Sequence, residues 1–546
     1  MTLCVIANPH KGKEAKLFAM IQEKLKKRDT SYDRCFGCVT GAAIGDSIGS
    51  YLEQFTTKDP PTEEQTVTAM EMPGGGLCWN VAPGQVTDDT ELANSLARGL
   101  HKMIKEYKEG HYNSSHIVKE YVQWGKGAFD VGRCTRSTLG GVPIKEGEKA
   151  TLKHVKEMKR KAAEYNAGSL RHQNPKRHGN LANGALMRCT PLIVYGRKLS
   201  QDQLAQLMAE DASLSHANQI GYRANQTYAI AIQSLLNSTE EDRTKRMKEA
   251  FTLAEKWLKG KVEEEKKIGK ENAAKVYKWL TRAKNASSTK ELQDVNGKDY
   301  IIPPFERAFY HLKAGSTFLE TIEPTIAEGG DTDTNACIVG GMFGAIDGYT
   351  ELRKLQSPKE KVEYVKRVVE SDLSKGSYPH RKNYHPATFI DNLPTVIDKA
   401  PKKILSINQG IEKIPDKDRP KLPKKNTATK RGGNKDGDKD RPKLPKKNTT
   451  TRGLNEDEDD SDEYTRESSI IEKSEDEDDG LPKPPKHTTK EHKKDKDNNP
   501  KKAGNKKLFS SLFVPVISLV GIGMGLLSLL TYRKARSQKK EDREEE

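Results

Sequence analysis

Cysteine is scarce in this chain. There are seven among 546 residues, and all fall before residue 400. Cys35 and Cys38 form a lone C-x-x-C with no second pair and no nearby histidine, which excludes a standard zinc site there. The cysteines read instead as reduced, buried small residues of a cytosolic domain. No G-x-G-x-x-G opens a helix after a strand, so a dinucleotide-binding fold has no support. Convincing alternating strands are few. The apolar run within Met1 to Pro9 is too short for a signal peptide, and its charges follow the run instead of preceding it. Apolar residues themselves become rare between about residue 401 and Leu508.

That last scarcity divides the chain. Asp416 to Thr427 recurs word for word as Asp438 to Thr449, with a weaker echo at Leu481 to Lys486 and acidic runs between them at Glu456 to Glu463 and Glu475 to Asp479. Such sequence cannot bury enough apolar surface to offset its ordering entropy, so residues 401–507 are expected to form a disordered, partly polyproline tether. Much of the net charge of +16 lies in these Lys-Pro tracts, and no nucleic-acid partner is expected. Leu508 to Leu530 is a run of 23 residues without a charge. As a helix it would span about 34 Å, enough to cross a hydrocarbon core of about 30 Å. Residues 508–530 are therefore expected to be a C-terminal transmembrane helix, with 531–546 a short charged tail. The long preceding part of the chain would then be cytosolic and tail-anchored, in an organelle that the sequence leaves open.

Residues 1–31 read as an N-terminal extension with a basic amphipathic helix over Lys13 to Lys27, and 32–400 as the principal domain. Helical periodicity covers Gln201 to Ser213, Gln219 to Leu236, Arg243 to Leu258, Ala273 to Lys284, Phe305 to Leu312 and Phe318 to Ile326. The expected fold class is all-α. Gly37, Gly41, Gly45 and Gly49 recur every four positions, a smooth helical stripe that permits close approach of another helix or a ligand.

Oxygen-bearing side chains concentrate in a few stretches. Glu328-Gly329-Gly330-Asp331-Thr332-Asp333-Thr334 enters an apolar, glycine-dotted helix, and Thr87-Asp88-Asp89-Thr90 opens another about 240 residues upstream. Asp46, Glu53 and Asp130 add further carboxylates. With no Cys/His cluster, the set suits hard cations. Plain helix capping is the competing reading for each aspartate, Asp46 and Asp130 included, and His216 could be a core histidine. A divalent pair could orient a water, a carboxylate at Glu53 or Asp130 could take its proton, and glycine-loop N–H groups could cradle an anionic ligand.

Six segments in order carry a resemblance: Gly41 to Glu53, Gly84 to Thr90, Phe129 to Gly132, Asn183 to Arg188, Leu214 to Ala217 and Gly329 to Thr334. Together they resemble the ADP-ribosylglycohydrolases, a family that includes dinitrogenase reductase-activating glycohydrolases and hydrolases of ADP-ribosylserine and ADP-ribosylarginine. The resemblance covers roughly Tyr32 to Tyr349. It implies a compact multi-helix bundle and two divalent cations, Mg²⁺ or Mn²⁺, ligated by Thr87, Asp88, Asp89, Asp331, Asp333 and Thr334. It implies catalytic carboxylates at Glu53 and Asp130, and substrate contacts at Gly179, Asn180, Asn183, Gly184 and His216. The implied partner is an ADP-ribosylated protein or related conjugate. Thr87 and Thr334 look more like the serine-directed and bacterial branches than the arginine-directed animal branch. Two charged stretches, Lys145 to Arg177 and Glu240 to Lys298, exceed the family core. The alternatives are a catalytically silent relative serving as a membrane-tethered binding or structural protein, and an interaction scaffold built on the linker repeats.

Overall fold

The computed structural model describes residues 8–409, except 28, 54, 77, 146, 172–179 and 293–299. The tether repeats and the 508–530 span lie outside the described residues. Among the described residues the architecture is helical, with a pair of two-residue strands, His111–Tyr112 and Ser406–Ile407, as its sheet. No helix there is long and apolar enough to cross a membrane.

The glycine stripe finds its partner in the Thr332–Leu352 helix, which runs antiparallel against the Thr30–Gly49 helix. A Cβ on Gly45 would lie 2.0 Å from the carbonyl oxygen of Ala336, and one on Gly344 would lie 2.0 Å from that of Gly37. Only glycine allows the two backbones to meet at this distance. The register sets Gly49 against Thr332 and Asp333, so the end of one helix abuts the acidic start of the other. Glycine disfavours each helix by about 1 kcal/mol per position. Packing of both helices into the core, with Phe36, Ile44, Ile48, Val339, Phe343 and Ile346 buried, offsets it.

Around this pair lie the Asp88–Glu106 and Ser115–Gly125 helices on one side and the Gln219–Asn237, Arg243–Lys266 and Asn272–Asn285 helices on another. Expected helix bounds hold within a few residues, except that the 243 helix runs eight residues past Leu258. Two expectations need revision. The N-terminal extension is part of the fold: its Lys13–Lys26 helix buries Leu17 and Ile21, and Glu14 pairs with Arg353 at 2.6 Å. The folded chain also continues past residue 400. Leu405 N–H donates to the Gly110 carbonyl at 2.8 Å and Asn408 N–H to that of Tyr112 at 2.9 Å. Two strand residues held by backbone bonds leave no periodic signal in a sequence. The charged stretch after Lys145 forms the Leu152–Arg171 helix, which buries Val155 and Met158.

Candidate active site

Thr87 stands at the N-cap position of the Asp88–Glu106 helix, and Asp331 at that of the Thr332–Leu352 helix, yet neither side chain caps its helix. The first is capped from outside: Asp46 accepts from the backbone N–H of Thr87 at 2.9 Å and of Thr90 at 3.0 Å. Asp46 thus caps no turn within its own glycine run but the start of a helix about forty residues away. Asp331 instead accepts from Asn183 Nδ2 at 2.5 Å. Gly329 and Gly330, both at positive φ, carry the chain into this start, with Gly330 N–H donating to the Phe55 carbonyl at 2.9 Å. Asp130 does not cap the next helix, whose N-cap is Gly132.

Because the two helices abut end to start, the distant acids converge. Glu53, Asp130 and Asp333 each offer an oxygen within 4.8 Å of the others. Asp88, Asp331 and Thr334 line the same cavity of about 220 Å³, together with Asn180, Asn183, Gly184 and His216. Thr87 and Asp89 lie behind its floor, fully buried. Thr87 Oγ1 is 2.9 Å from Asp46, 3.1 Å from Asp333 and 3.3 Å from Asp89, while Thr334 Oγ1 is 3.3 Å from Asp89. Gly179 lies outside the described residues. A wider, open groove lined by Arg197, Gln233 and Asn237 elsewhere on the surface gathers none of the expected residues.

Burial, and then mutual repulsion, keep Asp88 and Asp89 protonated far above the usual carboxylate range. Asp333 is raised by burial and then by Glu53 and Asp130. Asp130 is pushed up to about 9 by burial and Asp88, and Asp46 to about 6 by burial. Such crowding requires bound protons or bound cations. Two observations fit a cation. One hydroxyl hydrogen on Thr87 cannot satisfy three carboxylates, and Asp89 Oδ1 is buried without a hydrogen-bond partner. The donors are all oxygen, the set that hard divalent ions prefer.

His216 is buried against Gly184, and burial beside Arg188 lowers it to about 3, so the ring is neutral. It is also one of the residues that line the cleft.

Several aromatic residues around the cleft were given no role by the sequence. Trp79 Nε1 donates to Glu53 Oε2 at 2.5 Å. Its loop is closed by a bridge between Gly75 and Val81. Phe129 stacks on Tyr378 at 3.9 Å beside Asp130. Tyr165, from the charged segment thought to be an insertion, and Tyr300 both line the cavity. Trp79 and Phe129 lie in loops, which have no periodicity to betray them, and Tyr165 sits in a charged helix; only proximity in the fold marks them.

Residues 27–380 match the sequence model of the ADP-ribosylglycohydrolase family. The chain is similar to an ADP-ribosyl glycohydrolase of Acanthamoeba polyphaga mimivirus, with 25% identity over 57% of this chain and 86% of that protein. It is similar to the ADP-ribosyl-dinitrogen reductase glycohydrolase of Rhodospirillum rubrum, with 23% identity over 59% of this chain and 88% of that one. The human ADP-ribosylhydrolase shares 25% identity over 59% of this chain and 87% of its own length.

Proposed function

Since the chain belongs to the ADP-ribosylglycohydrolase family of hydrolases, we propose that it cleaves the glycosidic bond between ADP-ribose and a protein side chain, releasing ADP-ribose. The observation that carries this reading is the convergence of Glu53, Asp130 and Asp333 at the floor of a cleft walled by the Asn183–Gly184 loop and His216. Thr87, Asp88, Asp89, Asp331, Asp333 and Thr334 would hold two divalent cations, Mg²⁺ or Mn²⁺. When bound, these would supply positive charge to neutralise the carboxylates and bind the ribose hydroxyls.

The remaining work falls to side chains. Asn183 and the glycine-loop backbone hold the ADP-ribose unit while His216 closes the wall. The bond at the ribose C1 breaks through an oxocarbenium-like state, which carboxylates beside the ring stabilise. Glu53, held by the Trp79 indole, is the group that accepts a proton from the attacking water. Asp130, beside the Phe129–Tyr378 stack, faces the leaving side chain. A full set of expected carboxylates favours an active enzyme over a silent relative.

For the acceptor, the threonines at 87 and 334 favour ADP-ribosylserine. Serine- and arginine-modified peptides offered side by side with Mg²⁺ test both levels. Release of ADP-ribose from serine is the expected outcome. Release from arginine alone reverses the acceptor assignment, and release from neither overturns the hydrolase reading.

The reading also includes a membrane. The uncharged run 508–530 would anchor the enzyme, with the tether letting the catalytic domain range roughly 50–60 Å by flexible-chain scaling. The domain's reduced cysteine chemistry suits the cytosolic side.

A further inference from the structure

Behind the cleft wall runs a buried polar chain that the reaction described above does not use. Tyr121 donates its hydroxyl to Asp211 Oδ1 at 2.8 Å. Asp211 Oδ2 accepts from Arg188 Nε at 3.1 Å, and its carbonyl accepts from Arg188 Nη2 at 3.1 Å. Arg188 Nη1 then donates twice, to the Gly184 carbonyl at 3.1 Å and to Ser215 Oγ at 2.8 Å. Ser215 Oγ lies 2.8 Å from His216 Nδ1. Arg188, Asp211 and Ser215 are each at most 2% exposed, so water does not complete these bonds.

Proton counting orders the chain. A guanidinium only donates, so Ser215 must accept from Arg188. Ser215 has one hydrogen to give, and the acceptor in its reach is His216 Nδ1. If Nδ1 carried the proton instead, Ser215 would accept twice, and its own O–H would be buried without a partner. The neutral ring must then carry its proton on Nε2. That edge of the ring packs on Gly184, where a Cβ would lie 2.9 Å from Nε2 and 2.8 Å from Cε1.

We infer that Ser215 and Arg188 are positioning residues that fix His216 as its Nε2–H tautomer, making it a hydrogen-bond donor to the cleft and not a base. Arg188 also holds the Gly184 carbonyl, so one guanidinium sets both the imidazole and the adjoining loop. The tautomer rests on this geometry alone. The further statement that Nε2–H serves an oxygen of ADP-ribose rests on the proposed function.

The full-length chain with ¹⁵N-labelled histidine tests it through long-range ¹H–¹⁵N correlation spectra, with the His216 signals assigned by their loss in His216→Asn. Wild type should show a protonated Nε2 and a bare Nδ1. Ser215→Ala should shift the ring toward the Nδ1–H form and weaken ADP-ribose binding roughly tenfold, the scale of one hydrogen bond. Ser215→Thr, which keeps the hydroxyl, should restore both. A protonated Nδ1 in wild type overturns the inference without recourse to any variant. So does an unmoved tautomer in a folded Ser215→Ala. The stated tautomers with no ADP-ribose binding by wild type would support the positioning role and overturn the substrate reading instead.

Discussion

Asp46 Oδ1 accepts from both the backbone N–H and the hydroxyl of Thr87, each at 2.9 Å. One carboxylate thus caps the helix that carries Asp88 and Asp89 and fixes the threonine beside them. Asp46→Ala leaves two buried N–H groups of the helix start without an acceptor. It should lower stability by about 1–3 kcal/mol, read from urea unfolding. An unchanged midpoint would remove Asp46 from this role.

Asp89→Asn and Asp333→Asn should abolish divalent-metal binding in calorimetry and abolish turnover. Without metal, their melting temperatures should hold or rise, because each substitution removes an acid that burial and its neighbours penalise for ionising. Full activity of both variants in chelator contradicts the assignment.

The same crowding sets a pH dependence for the metal-free protein. Asp46, Asp88, Asp89 and Asp333 keep their protons in the folded state at pH values where the unfolded chain, with carboxyls near 3.9, has lost them. Stability from these groups is full below about pH 4 and is lost as pH rises, through about 6 for Asp46. Asp130, raised to about 9, extends the decline weakly because it is only partly shielded. Thermal melts in chelator from pH 4 to 8 should fall, and added Mg²⁺ should recover most at the alkaline end. A rise in melting temperature with pH in chelator would contradict the shared cause.

Gly45→Ala drives a methyl into the Ala336 carbonyl, 2.0 Å from the ideal Cβ. The helix pair must part, at a cost of about 1–3 kcal/mol or more, and the two halves of the acidic site part with it. Gly260→Ala is the control: it lies in the Arg243–Lys266 helix with nothing within 4 Å of the new Cβ. It should stabilise by up to about 1 kcal/mol. Chemical denaturation separates the two, and equal effects would sink the close-packing account.

Protease added to intact organelles should strip the catalytic domain and leave a small protected fragment containing residues 508–530. Protection of the whole domain reverses the orientation, and release by carbonate removes the anchor.

Much of this molecule was written locally. Helix periodicity, the absence of alternating strands and the oxygen-rich stretches at 87–90 and 331–334 depend on neighbours within a few residues, and the fold reproduces them. The sequence by itself determined most of the long helices, though not short ones such as Glu63–Met70 and Phe389–Asp398, and that a stripe of glycines would admit a close neighbour. The tertiary structure decided what that neighbour is. Gly340 and Gly344 meet Gly41 and Gly37 only because the two helices run antiparallel in one register, and that register brings Asp333 to Glu53. It also decided that Asp46 would cap a foreign helix, that Trp79 would hold Glu53, and that Tyr165 would reach the cleft from a charged stretch outside the matching motifs. The physical reason is range: propensity and capping act over one or two turns of chain, whereas desolvation, repulsion among buried acids and backbone contact act between residues that only folding makes adjacent.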